Sequence, residues 1–342
     1  MADDIRNGEL FPNLEEIRAA AVRYAEEGYD VHRINPDKDT GMPTKAPTYG
    51  SDKQRTSWKY ITHEPHDFRP GDNIGAKLGA LSGNIVVADM DSPESILMAC
   101  RILPPTRTIG HHNEPTHYHY RSEVPKKVEW NLRGEGKFVE LLTKGQQVVM
   151  PPSVWPTKEG NSRQADYYRV MCDPAIDEIL PEELIQRLNL VAGAAYIYRH
   201  LPPEGVGMLH PMSLYIAGMM AYYDYPQEDT VTMLGAAWGE AGGDVNTLMS
   251  NIRTTYEAER PEREGKLREL ERDDDAPTEH ALPKGFTKNL AKLLDIKLER
   301  DGGGHRVGRQ PNKAKAAYRV RTGNSRRALH GSVRPPLCEG RR

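Results

Sequence analysis

Apolar positions along this chain fall into two regimes. Up to about residue 170 they form short runs broken by Gly, Pro and Asn; after about residue 180 they recur at helical spacing. The first helix comes before the strands. Leu14, Ile17, Ala21 and Tyr24 share one face, so residues 14–27 predict a helix with Asn13 as N-cap and Gly28 as its stop. Residues 29–34 predict a strand closed by Asn35-Pro36. Residues 37–57 are polar and irregular, and Trp58 reads as a packing anchor. Residues 73–83 are rich in small side chains, which suits either close approach of backbone to a phosphate or sugar, or a tight hairpin. Ile85, Val86 and Val87 then predict a buried strand that runs into Asp89 and Asp91. Ser92 and Pro93 open a helix over about 93–103, expected to bury Ile96, Leu97 and Cys100.

Further along, residues 116–121 predict a strand with His117 and His119 on one face and Tyr118 and Tyr120 on the other. Residues 137–143 and 146–150 predict two strands joined as a hairpin by Lys144-Gly145 and ended by Pro151-Pro152-Ser153. Tyr167 and Tyr168 fall on a final short strand. Helices follow: one opening at Pro181, then residues 212–223, 229–240 and 244–259, the last with Val245, Leu248, Ile252 and Tyr256 on one face. Residues 261–278 read as a charged linker, and a short helix is expected near 286–298 before the glycines at 302–304. No internal repeat and no Walker-type phosphate loop is present.

At 342 residues, one large or two medium domains are expected. Charged residues make up 28%, and no apolar run approaches the roughly 20 residues of a membrane span, so a soluble protein without a membrane partner is expected. The opening Met-Ala-Asp-Asp-Ile-Arg lacks a basic region followed by an apolar one, so no signal peptide and a cytoplasmic location are expected. Cys100, Cys172 and Cys338 are far apart and odd in number, which fits a reducing compartment. Net charge is −3, but residues 301–342 carry +9 and the first 300 carry −12. A basic tail on an acidic body points to a polyanion partner or to a solvated end, and its composition favours disorder.

Three features carry candidate chemistry. Asp89 and Asp91, two apart on a strand, point to the same side, where two like charges repel and lose hydration. A surface turn also produces this pair, but carboxylates at the end of an apolar strand are well placed to hold a divalent metal. Glu140 stands alone among Phe138, Val139, Leu141 and Leu142, which is costly unless it is paired or metal-bound. His111, His112, His117 and His119 raise the idea of zinc, but no cysteine pair stands nearby.

Taken in order, Asp89-x-Asp91, His117-Tyr118-His119-Tyr120-Arg121, Val139-Glu140 and Val148-Val-x-Pro-Pro-Ser153 resemble the bifunctional primase–polymerase family of the archaeo-eukaryotic primase superfamily, the type found in phage and plasmid replication. The resemblance covers roughly residues 14–170, and Lys45-x-Pro47 ahead of Trp58 is similar to the family's N-terminal signature. The family often carries Ser or Gly two positions before the motif histidine, where this chain has Pro115. The resemblance implies an α/β (α+β) catalytic domain with an RRM-like sheet over residues 1–180. A helical bundle over 181–275 would follow, and then a linker, a short helix and a basic tail over 276–342. It implies DNA primase or polymerase activity with Mg²⁺ or Mn²⁺ held by Asp89, Asp91 and Glu140. His117 would contact the nucleotide triphosphate, with Ser82, Gly83, Lys144 and Gln147 as further nucleotide contacts. Expected partners are a single-stranded DNA template, NTP or dNTP, and a separate helicase, since this chain carries none. The rival readings are a non-catalytic replication-initiation or DNA-binding module and a metal-dependent nuclease using the same carboxylates.

Overall fold

The structure, a computed structural model, describes residues 12–47, 57–156, 166–201, 209–258, 282–283 and 285–297. The predicted linker and the basic tail lie outside them. The described residues fall in one compact unit ending at Lys297.

Helix α1 (Leu14–Glu26) starts where Asn13 accepts a hydrogen bond from Glu15 N at 3.0 Å and stops before Gly28, whose φ of 92° is open to glycine. Strands β1 (Asp30–Ile34), β2 (Asn73–Lys77) and β8 (Gln147–Met150) form a three-stranded antiparallel sheet in the order β1-β2-β8. Of the small-residue stretch, Asn73–Lys77 is the buried strand β2 and the rest turns tightly through Gly79 and Gly83, both at positive φ.

The larger sheet has seven strands. Its order is β11 (Arg169–Cys172), β4 (Thr108–His111), β5 (Glu114–Arg121), β3 (Ile85–Met90), β7 (Gly136–Leu142), β6 (Val128–Leu132), and β12 (Asp177–Glu178) runs parallel to β5. Strands β9 (Val154–Trp155) and β10 (Asp166–Tyr167) pair separately, so the tyrosine strand is not the last one. Ile85 and Val87 of β3 and Ile109 of β4 share a core with α1 and the small sheet, including Ile17, Tyr24, Ile74 and Met150.

Two further expectations fail. Strands β7 and β8 are not a hairpin: β7 pairs with β3 and β6, and β8 pairs with β2. Thr143 and Gln146 bond each other across the Lys144-Gly145 turn, and this turn passes the chain from one sheet to the other over Gly79, where a Cβ would meet Lys144 Cα at 2.8 Å. Helix α2 (Pro93–Ile102) buries Ser95, Met98, Ala99 and Ile102, while Leu97 and Cys100 are exposed and Ile96 is half-buried. Ser92 and Ser95 bond reciprocally at 3.1 and 3.2 Å, which turns Ser95 inward and sets the stripe that follows it at helical spacing.

From Pro181 onward the described residues are helical: α3 (Pro181–Arg199), α4 (Leu209–Tyr222), α5 (Gln227–Glu240), α6 (Val245–Glu257) and α7 (Phe286–Leu293). Helix α2 lies against β3, β5 and β7; α3 packs on α2, α5, α7 and β7. Among the described residues no helix is long and apolar enough to cross a membrane.

Candidate active site

The register of three strands assembles the site. Asp89 on β3 faces His117 on β5 to one side and Glu140 on β7 to the other, and Glu140 faces Glu129 on β6. Asp91 follows on the same side of the chain, just past the strand. One oxygen from each of Asp89, Asp91 and Glu140 lies within 4.8 Å of the others, the one such carboxylate, histidine or cysteine group among the described residues. All three donors are carboxylates, a set that suits a hard divalent cation.

Burial and proximity strain these charges. Asp89, its side chain 26% exposed, has its pKa pushed up to about 6 by burial and then by Glu140. Asp91 is likewise pushed up to about 6, by burial and by Asp89. Glu140 goes the other way: burial raises it, but hydrogen bonds from Lys127 and Lys137 outweigh that and hold it below its ordinary value. Lys137 Nζ also lies 3.2 Å from Asp91 Oδ2.

His117 Nε2 stands 3.5 Å from Asp89 Oδ1, and its ring stacks on Tyr168 at 5.7 Å between centroids. Burial, with the Lys45 charge, drops its pKa to about 3, so the imidazole is neutral at pH 7. Its Nδ1 is buried with no hydrogen-bond partner among the described residues. Lys45 sits over Trp155 at 4.8 Å and Tyr168 at 5.7 Å, and its charge reaches both Asp89 and His117. Its segment is held in place from the small sheet: Gln147 Nε2 donates to Lys45 O and Asn73 Nδ2 to Thr44 O, both at 2.9 Å.

The other candidates separate by position. Gln147 reaches the site through Lys45. Ser82, Gly83 and Lys144 lie at the opposite end of β3 and β7, because Ile85 and Asp89 are four residues apart, roughly 13 Å of strand. Ser82 Oγ is buried and accepts from Asp30 N at 2.8 Å while donating to Lys77 O at 2.5 Å; Gly83 O accepts from Arg121 Nη1 at 2.9 Å. Lys144 is exposed on the turn beside Gly79. The four histidines do not converge on one point: His111 and His112 bond each other through Nδ1 at 2.9 Å, His119 bonds Tyr29 at 2.9 Å, and His117 lies by Asp89.

Sequence reading missed Lys127, Lys137, Trp155 and Tyr168 as parts of the site. No spacing rule connects them to Asp89; only the strand order does. Lys45 carried a signal, as part of Lys45-x-Pro47, though not as a neighbour of the carboxylates. Residues 21–183 match the family model described as bifunctional DNA primase/polymerase, N-terminal. No curated protein gives a significant match to the chain.

Proposed function

We propose that residues 21–183, a domain of the bifunctional DNA primase/polymerase family, carry out template-dependent nucleotidyl transfer on single-stranded DNA. The observation that carries this reading is the convergence of Asp89, Asp91 and Glu140 within 4.8 Å on one sheet face, next to His117 in the same cross-strand row. In this reading the three carboxylates hold Mg²⁺ or Mn²⁺, which when bound would stabilise the attacking 3′-hydroxyl and the leaving pyrophosphate oxygens. His117, neutral at pH 7, gives the triphosphate a hydrogen bond without adding charge. Lys45, held over Trp155, supplies a positive charge beside it. Gln147 acts by fixing Lys45. Ser82, Gly83 and Lys144 are assigned to the turns that frame β2, β3 and β7, since their bonds and positions serve those turns.

We equate the seven-stranded sheet, with α2 against it, with the RRM-like layer expected of such enzymes. The division near residue 180 is kept as a functional one, with α3–α6 as the helical part and the basic tail as a DNA contact. Unwinding falls to a separate helicase, and the setting is replication of a phage or plasmid in the cytoplasm.

The test is extension of primed and unprimed single-stranded DNA with NTP or dNTP and Mg²⁺ or Mn²⁺. Asp89→Ala, Asp91→Ala and Glu140→Ala should each lower extension by at least about a hundredfold, the scale on which metal and electrostatic groups act in such reactions. Near-normal extension by any of them sinks the carboxylate assignment. Template degradation would favour the nuclease, and binding without either reaction would favour the initiation module.

A further inference from the structure

Two lysines stand among the carboxylates in places the proposed reaction does not use. Lys137 Nζ donates to Glu140 and lies 3.2 Å from Asp91 Oδ2. Lys127 Nζ bonds the other Glu140 oxygen and lies 2.5 Å from Glu129 Oε1. Both oxygens of Glu140 are therefore taken by ammonium groups, and Lys137 bridges two of the residues a cation between them would use. An ammonium and a divalent ion compete for one cradle of oxygens, because like charges a few ångströms apart in a partly buried site repel.

We propose that Lys127 and Lys137 are resident counter-ions of this acidic centre. They yield their oxygens to a divalent cation and turn to the phosphates of the nucleotide, so that cation and nucleotide bind cooperatively. This rests on the reading that the carboxylates hold divalent ions. Both side chains are free to do it: Lys127 is 39% exposed and Lys137 31%, so their heads can swing into water while the stems stay on the sheet. A lysine suits the role, being a compact charge on a flexible stem that re-aims easily. A cation arriving alone must drive an ammonium off its carboxylate, and that cost subtracts from its affinity. A triphosphate gives the released ammonium a new anion and restores the charge balance. By linkage, the nucleotide then tightens the cation by the same factor as the cation tightens the nucleotide.

The experiment measures Mn²⁺ binding to the full chain by electron paramagnetic resonance. It is run with Mn²⁺ alone and with an α,β-methylene nucleoside triphosphate, corrected for Mn²⁺ bound to free nucleotide. Wild type should bind Mn²⁺ weakly alone and more tightly with the nucleotide. Lys137→Met keeps the stem and removes the charge. It should tighten Mn²⁺ alone roughly tenfold, equivalent to about 1.4 kcal/mol, and reduce the enhancement by nucleotide to a similar extent. Lys127→Met, at a more exposed position, should act in the same direction and decides the matter if Lys137→Met does not fold. Unchanged or weaker Mn²⁺ affinity in these variants overturns the counter-ion role while leaving the carboxylate reading in place. Wild type that binds no Mn²⁺ with or without nucleotide overturns both.

Discussion

Asp89 pays for its position in stability. A carboxyl whose folded value is raised to about 6, against an ordinary value of 3.8, holds more protons folded than unfolded between those values. Stability therefore falls as pH rises from about 4 to about 6, and the deficit persists above that. Asp89→Asn removes it. The variant should melt higher than wild type at pH 7, by the equivalent of about 1–2 kcal/mol, and the gap should close near pH 4. A melting temperature at or below wild type at pH 7, measured by calorimetry, would contradict this. At this scale the sequence was readable where chemistry is rare in its setting. Two aspartates ending an apolar strand, and a glutamate inside one, stand out from any surface pattern. The lysines that neutralise them do not, because Lys126-Lys127 and Lys137 look like any solvated strand end until β6 is laid beside β7.

Periodicity and capping located the described helices and about half of the strands. Asn13, Ser92 and Asp244 cap as their side chains require, by accepting from backbone N–H groups. What local pattern did not carry was pairing. Residues 137–150 read as a hairpin because two apolar runs flank a Gly turn, yet β7 goes to β3 and β6 while β8 goes to β2. Strand β6 was legible and was missed: Val128-Glu129-Trp130-Asn131-Leu132 alternates apolar and polar residues as a half-buried strand does. One arginine shows how the elements are tied behind the site. Arg199, at the end of α3, donates to Glu94 at 2.7 and 3.0 Å in the first turn of α2, and to Glu135 O at 2.7 Å between β6 and β7. Its guanidinium also lies 4.3 Å from the Phe138 ring centroid. It thus braces the two segments that lead to Asp91 and Lys137. Arg199→Ala should destabilise the protein by about 1–3 kcal/mol. Arg199→Lys should recover little of that, since an ammonium cannot reproduce the two-pronged contact. Hydrogen exchange should show faster opening of the β6–β7 turn in both; unchanged exchange there would remove the bracing role.

For the molecule as a whole, charge is divided along the chain, with +9 on residues 301–342 and −12 on the rest. In the proposed role as a DNA contact, such a segment would meet backbone phosphates without regard to sequence. Deleting it should weaken binding to single-stranded DNA most at low salt, flatten the salt dependence, and do so equally for templates of different sequence. Extension at saturating template should persist, because every proposed ligand lies before residue 154. Equal salt slopes for the full chain and a 1–300 truncation would leave the tail without a DNA role.

Helix α3 has a practical consequence. The family match ends at residue 183, three residues into that helix, whereas ten of the helix's residues, Leu184 to Ile197, are buried. Against them lie α2 and β7, the elements that follow Asp91 and carry Glu140. A recombinant fragment designed to stop at the family boundary would bare that apolar seam to water and expose a sticky surface directly behind the carboxylates. Insolubility or weak turnover of such a fragment would report on the missing helix and would say nothing about the chemistry. A fragment carried through to Lys297 keeps the seam closed.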